Sequence, residues 1–204
     1  KLVPIKTPIG KKSLFDMGRI DPEKMYSNVQ KWNWRSINDG KIYLDEQSKR
    51  NAISMRNSLM RLSTAFAVEG DTLKAIEILD LSLDKMPIKD FDHYSLSLDY
   101  PEMYYRLGAV EKARKTAETL IGLFREKLIW HSTFTKEEFD LVFEDFDLTF
   151  RYLYRGVLEQ VQDNEIDYTY FKKLQDEFNG TLELFQHIIP NQEAAPEELE
   201  LLQE

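Results

Sequence analysis

Histidine and cysteine are the side chains that most often bind metals or act as nucleophiles, and this chain offers little of either. Its three histidines are His93, His131 and His187, and it has no cysteine. None of the histidines stands in an HxxxH or HExxH pattern, which is the spacing that zinc sites on helices use. We therefore interpret all three as surface or packing residues. The lack of cysteine excludes disulfides, thiolate nucleophiles and cysteine-ligated metals.

Three carboxylates lie close together in a helical stretch of the sequence, at Glu144, Asp145 and Asp147. Grouped carboxylates can exchange protons with a substrate or bind calcium. Here they alternate with phenylalanines that recur at helical spacing, which favours a solvated helix face. The sequence also has no GxxxxGK[ST], GxGxxG or GxSxG motif. These patterns predict no enzyme, no metal site and no cofactor.

The segment Trp32-Asn33-Trp34-Arg35 combines two large aromatic rings with a basic residue. Such a group can stack on a sugar or dock on a partner. It can equally pin an irregular N-terminal segment onto the helices. We favour pinning and keep the binding role as the alternative.

The composition predicts a folded domain with an acidic surface. The chain has 204 residues, of which 42% are hydrophobic and 12% aromatic, which is enough for a substantial core. Its net charge of −9 argues against sequence-independent binding of nucleic acid. Residues 1–36 hold eight Lys/Arg and three Asp/Glu, whereas residues 133–204 hold five and eighteen. These segments could attract each other, although an ordinary solvated acidic surface is the favoured interpretation.

The stretch from Arg56 to Pro87 has the pattern of one tetratricopeptide-type helical hairpin. Apolar residues at helical spacing lead to Gly70, the small Ala75 follows, and Pro87 closes the unit. Such repeats run for about 34 residues, and one alone cannot bury its apolar face. We therefore expect neighbouring helices to stack on it.

A second, degenerate unit follows at an offset of 38 residues, because Gly108 and Ala113 repeat the spacing of Gly70 and Ala75. Small residues at positions 75 and 113 would let the two helices of each hairpin approach closely. The first helix of the second unit is predicted to be short, and Pro101 lies within that region.

Two long helices are predicted in the last third of the chain. Thr135 and Glu138 match a capping box before the first, and we expect Asp167 to cap the second. The residues predicted to face inward are Phe139, Phe143, Phe146, Phe150, Tyr154, Val157 and Val161 in the first helix, and Tyr168, Phe171, Leu174, Phe178, Leu182 and Phe185 in the second.

The predicted fold is therefore all-α, with stacked antiparallel helical hairpins of tetratricopeptide type. Proline and glycine interrupt the beginning of the chain, so residues 1–50 are predicted to form an extended, irregular segment. Within it we expect a short helix starting at Asp21-Pro22 and a strand or strap at Lys41–Leu44. Residues 51–190 are assigned to the helical domain and residues 191–204 to an acidic tail.

In stacked hairpins the first helices line a concave groove that binds peptides or protein segments. The residues that lie off the inward stripe of the first long helix are Asn57, Met60, Thr64 and Val68. Together with Trp32, Trp34 and Arg35, they make up the predicted binding groove.

Four segments of the chain resemble one bacterial family. They are LVPIKT at Leu2–Thr7, GRIDPEKMYSNV at Gly18–Val29, KIYLDE at Lys41–Glu46 and YYRLGAVEKA at Tyr104–Ala113. The family consists of large multi-pass membrane proteins of Gram-negative bacteria, with a membrane part similar to protein O-mannosyltransferase-like glycosyltransferases. Their soluble C-terminal region carries tetratricopeptide-like helices. The resemblance covers residues 1–130, and the remaining residues match only in being helical.

The resemblance implies an accessory domain, because the family's expected catalytic acids lie in the membrane part. It also implies a location on the extracytoplasmic (periplasmic) face of the inner membrane. The chain begins at Lys1 rather than at Met, and no run approaches the ~18 apolar residues of a membrane span. We therefore expect a fragment of a longer membrane protein.

The predicted function is non-catalytic: binding or positioning a protein or glycan acceptor for a membrane-bound transferase. The expected partner is a protein or peptide segment, or the membrane part of its own parent chain, and not nucleic acid. The alternative is a purely structural or dimerisation cap of the parent. A free-standing enzyme is disfavoured, although a deep pocket with convergent, perturbed titratable groups would favour it.

Overall fold

The structure, a computed structural model, describes residues 20–34, 43–91, 97–164 and 168–188. The helices are α1 (Pro22–Val29), α2 (Glu46–Glu69), α3 (Thr72–Lys85), α4 (Asp99–Arg106), α5 (Val110–His131), α6 (Lys136–Asp147), α7 (Arg155–Asn164) and α8 (Tyr168–Glu183). A short 3-10 helix covers Ile88–Asp90, and a π-helical segment, Leu148–Tyr154, joins α6 to α7. No β-strand occurs within these ranges, so the all-α prediction is confirmed.

Several predictions fall on residues outside the described ranges. These are the irregular segment over residues 1–19 and 35–42, the capping role of Asp167, and the acidic tail at 191–204. At the predicted strand, Tyr43 and Leu44 have no regular secondary structure, and the two residues before them lie outside those ranges. The predicted boundary at residue 50 falls inside α2, which begins at Glu46.

Side-chain caps mark where α1, α2, α3 and α6 begin, and the sequence predicted the helix starts at Asp21 and at Thr135. Asp21 accepts a hydrogen bond from a backbone N–H in the first turn of α1, and Asp45 and Asp71 do the same for α2 and α3. Thr135 and Glu138 form the reciprocal capping box of α6. Each bond satisfies an N–H that the helix itself leaves without a partner.

The turns after α2 and α4 share one backbone geometry. Gly70 has φ 84° and Gly108 has φ 73°, the left-handed conformation that glycine adopts without strain. The residue after each glycine donates its N–H to the carbonyl five residues earlier, at an N···O distance of 2.9 Å in both turns. The 38-residue offset that the sequence suggested is thus repeated in the backbone.

The two small residues that the sequence singled out are buried in the paired helices. Ala75 on α3 and Ala113 on α5 are both fully buried, and α2–α3 and α4–α5 are the most extensive helix pairs of the described chain. The hydroxyl of Ser63 on α2 donates to the carbonyl of Ala75 at 2.8 Å, which ties the first pair together. The finer assignment to a tetratricopeptide stack stays a prediction.

Helix α3 contributes to two separate hydrophobic clusters. The first cluster lies between α1, α2 and α3 and contains Val29, Ala52, Leu59, Leu62, Phe66, Ala75, Ile78, Met86 and Phe91. The second extends from α3 to the end of the described chain and includes Leu79 of α3. Two polar contacts, Ser82–Tyr100 at 2.6 Å and Tyr104–Asp80 at 2.8 Å, join α3 to α4 along the boundary.

A buried arginine holds the end of α3. Arg56 on α2 is 3% exposed, and its guanidinium donates to the carbonyl of Met86 and to the hydroxyl of Ser97. The same group lies 5.8 Å from the ring centroid of Phe91. A cation at this place meets the negative end of the α3 dipole, which stabilises the chain reversal after the helix.

The predicted aromatic stripes are buried for the most part, with two corrections. Phe143 is 44% exposed and Tyr168 is 70% exposed, although both were predicted to face inward. Phe143 lies at the rim of its cluster, 6.0 Å from the ring of Phe139. Tyr168 is the first residue of α8, so no preceding turn of that helix covers it.

We expect Gly70→Ala to lower the free energy of unfolding by about 1–2 kcal/mol, because alanine is strained at φ 84°. A Cβ at residue 70 would meet no atom within 4 Å, so the loss reports backbone strain alone. Gly122→Ala is the matched control, because it also meets nothing but lies inside α5; it should raise stability by about 0.5–1 kcal/mol. Urea titration of both variants measures the difference, and equal effects would contradict it.

Candidate functional site

A cleft lies between α3, the 3-10 helix and α5. Its volume is about 470 Å³, and its lining residues are Asp80, Leu83, Asp84, Pro87, Ile88, Lys89, Tyr104, Lys112, Lys115, Thr116 and Thr119. We call it the α3–α5 cleft. Apolar side chains form the floor and charged side chains form the rim, an arrangement typical of sites that bind a segment of another molecule.

One hydrogen-bonded group fixes the wall of this cleft. The buried Tyr104 donates its hydroxyl to one carboxylate oxygen of Asp80, and Lys112 donates to the other. Burial, followed by the hydrogen bond to Asp80, raises the pKa of Tyr104 well above its usual value. The tyrosine therefore stays protonated at neutral pH and acts as a fixed donor that joins α4 to α3.

The threonine hydroxyls that face the cleft are already used within α5. Thr116 donates to the carbonyl of Lys112 and Thr119 to that of Lys115, each at 2.8 Å. These bonds use the hydroxyl protons, so the lysine side chains are the donors available to a ligand.

The predicted groove residues of α2 differ in exposure. Met60 is half-buried against the second cluster, and the hydroxyl of Thr64 donates to the carbonyl of Met60 at 2.9 Å. Asn57 is half-buried, whereas Val68 is 80% exposed at the end of the helix. None of these four residues lines the α3–α5 cleft, whose lining comes mainly from α3, the 3-10 helix and α5, with Tyr104 of α4.

The tryptophan pair favours the pinning interpretation. Trp34 packs against the first hydrophobic cluster. Trp32 is 36% exposed, and its ring centroid lies 5.4 Å from that of Trp34. The pair thus holds the chain after α1 against the core. Arg35 lies outside the described residues.

The carboxylate cluster is only partly solvated. Glu144 is exposed, and Asp147 pairs with Arg151 one helical turn later at 2.8 Å. Asp145 reaches back to α5, where Lys127 donates to it at 2.6 Å. The prediction of a water-facing group therefore misses this link between α5 and α6.

His131 also pairs with Asp145, a contact that the sequence did not predict. It is fully buried at the end of α5, and its Nε2 lies 3.1 Å from the carboxylate. Aromatic rings surround it, with the centroid of Trp130 at 5.3 Å. Burial lowers the pKa of His131, against the opposing attraction of Asp145. Of the other two histidines, His187 is exposed and His93 lies outside the described residues.

A second, more open groove of about 640 Å³ lies between α5 and α8. Its lining residues are Arg125, Thr169, Lys172, Lys173, Asp176, Glu177 and Gly180. Its charged residues are of both signs, and its lining includes no large apolar side chain, unlike that of the α3–α5 cleft.

The described part of the chain contains no cluster of three or more metal-binding side chains. Over the same ranges, no helix has the length and apolar character that spanning a membrane requires. Comparisons with protein-family models, curated proteins and solved structures gave no significant match.

Sequence patterns did not indicate the α3–α5 cleft, because its walls come from helices about thirty residues apart in the chain. Lys89 and Lys115 stand in no motif and read individually as ordinary surface lysines. The one usable signal was the offset of 38 residues, since it predicts that α3 and α5 occupy equivalent places in consecutive helix pairs.

We expect stability to fall as the pH drops below about 6.5, because the unfolded chain then binds a proton that buried His131 resists. Above that pH the histidine is neutral in both states, so its contribution is constant there. In His131→Phe, urea unfolding at pH 7.5 and 5.5 should show a smaller difference than in the unchanged protein. His187→Gln, at an exposed site, is the control and should keep the full difference.

Proposed function

We propose that this chain is a non-catalytic protein-interaction domain and that the α3–α5 cleft is its binding site. The observation that carries the proposal is the composition of the cleft. An apolar floor of Leu83, Pro87 and Ile88 lies beneath a rim that includes Lys89 and Lys115. A floor of this kind gains free energy by burying apolar surface, and a charged rim selects among partners.

The rigidity of the cleft supports this role. Its two walls are joined through the Tyr104–Asp80–Lys112 hydrogen bonds, and Arg56 fixes the end of α3 from the opposite side. A site that is already formed loses little conformational entropy when a partner binds. The residues that bound it therefore act as a scaffold rather than as an adaptable loop.

The resemblance to the bacterial membrane-protein family supplies the proposed context. In it, this chain is an accessory domain of a membrane-bound glycosyltransferase-like parent, on the extracytoplasmic face. The domain would bind or position a protein or glycan acceptor, or contact the membrane part of its own parent. This context rests on the four family-like segments and on no other observation.

A structural or dimerisation cap is the second candidate, and an exposed aromatic corner favours it. Ile129 and Trp130 at the end of α5 are 42% and 55% exposed. The ring of Trp130 meets that of Phe134 at a centroid distance of 4.7 Å, so the corner presents a connected apolar surface. Such surfaces often mark contacts between proteins.

Site-specific photo-crosslinking tests the interaction proposal. A benzophenone amino acid at Thr119, on the rim of the cleft, should give a discrete adduct with another polypeptide in cells that produce the full parent chain. The same probe at Leu73, which is 82% exposed on α3 outside the cleft, is the control and should give none. Absence of an adduct at Thr119, or identical adducts at both places, would contradict the proposal.

Light scattering separates the two candidates. If the cleft is the functional surface, we expect the isolated chain to have its monomer mass of 24.1 kDa, unchanged in Trp130→Ser. A dimer that dissociates in Trp130→Ser would instead favour the dimerisation cap.

A further inference from the structure

The acidic residues of the α3–α5 cleft are already neutralised by other side chains. Both carboxylate oxygens of Asp80 accept hydrogen bonds, one from Tyr104 and one from Lys112. Asp84 pairs with Lys85 at 2.7 Å. Neither carboxylate is therefore free to attract a positively charged ligand.

Two basic residues of the same cleft are not neutralised. Lys89, in the 3-10 helix, and Lys115, on α5, are both exposed. Among the described residues, neither ammonium group has a hydrogen bond or an ion pair. The cleft thus carries uncompensated positive charge on a chain whose net charge is −9.

The floor adds a second requirement for a ligand. Leu83 and Pro87 are partly exposed and present an apolar surface below the lysines, above the buried Ile88 and Tyr104. A small inorganic anion would satisfy the lysines but would leave this surface in contact with water. A ligand that combines an apolar side chain with flanking negative charges would satisfy both parts.

We propose that the α3–α5 cleft recognises an acidic peptide segment of a partner protein, with one large apolar side chain seated on the floor and neighbouring carboxylates at Lys89 and Lys115. This inference rests on the proposed function and specifies its partner. Because the whole chain is acidic, the affinity comes from the local pair of lysines and not from the overall charge. Raising the salt concentration would weaken the local attraction and the overall repulsion together. Charge substitutions therefore give the sharper test.

The test uses a short fluorescent peptide with a central Leu between Glu residues, titrated with the complete chain by fluorescence anisotropy. We expect Lys89→Gln/Lys115→Gln to weaken binding about 2- to 30-fold, since two exposed charge pairs are lost and each is worth up to about 1 kcal/mol. Lys172→Gln/Lys173→Gln is the matched control on α8, with the same loss of charge outside the cleft. It should bind nearly as well as the unchanged protein, because it changes the net charge by the same amount as the test variant but leaves Lys89 and Lys115 in place.

Two further peptides separate the contributions of charge and of the apolar side chain. Replacing Glu by Gln, or the central Leu by Ala, should each weaken binding to the unchanged protein. Thr119→Trp, which fills the rim without changing the charge, should weaken binding of every peptide. Circular dichroism of each variant confirms that the helices remain.

The outcomes distinguish this inference from the proposed function. If the Gln peptide binds as tightly as the Glu peptide, and Thr119→Trp blocks both, the cleft is a protein site but the acidic specificity is wrong. If no peptide binds and the Thr119 crosslinker gives no adduct, the proposed function itself fails. If neutralising the glutamates of residues 193–204 strengthens binding of the uncharged Gln peptide as well as of the Glu peptide, the chain's own tail is the occupant, which also overturns the assignment to a partner.

Discussion

Helix α3 must satisfy two hydrophobic clusters at once, and this constraint determines how the rest of the described chain is arranged. Ala75 and Ile78 belong to the cluster shared with α1 and α2, whereas Leu79 belongs to the cluster that continues to α8. A helix buried on two sides keeps only a narrow solvent-facing strip. That strip carries Asp80 and Asp84, so the place where α5 comes alongside it becomes a cleft with a polar edge.

Buried polar groups explain why the two hydrophobic clusters keep a fixed position relative to each other. Apolar contacts tolerate sliding, but Tyr104 can reach Asp80 in only one arrangement of α4 on α3, and leaving such a group without a partner would be costly. Arg56 acts in the same way at the C-terminal end of α3, where its donors require the carbonyl of Met86 and the hydroxyl of Ser97. Specific geometry here comes from a few hydrogen bonds within a mainly apolar interior.

Local chemistry was predictable from the sequence, and relations between distant elements were not. Gly70 predicted the end of α2, and the Thr135–Glu138 pair predicted the start of α6, because caps depend on a few consecutive residues. Tyr168 was misplaced because helical spacing alone does not show whether another element covers the end of a helix. The α3–α5 cleft was not predicted for a related reason. Lys89 and Lys115 form part of a site only because tertiary packing places them over an apolar floor.

The π-helical segment from Leu148 to Tyr154 bears on how future relatives of this chain should be aligned. Phe146, Phe150 and Tyr154 follow one another in two successive steps of four, which exceeds the α-helical period and suits the wider turn. Phe150 consequently stacks on Phe178 of α8 at 4.6 Å. Inserting one residue into an α-helix rotates everything after it by about 100°, unless a wider turn absorbs the extra residue. A relative with one residue fewer here could therefore keep the faces of α6 and α7 in place with an unbroken α-helix, so a single gap in this stretch is compatible with the same fold.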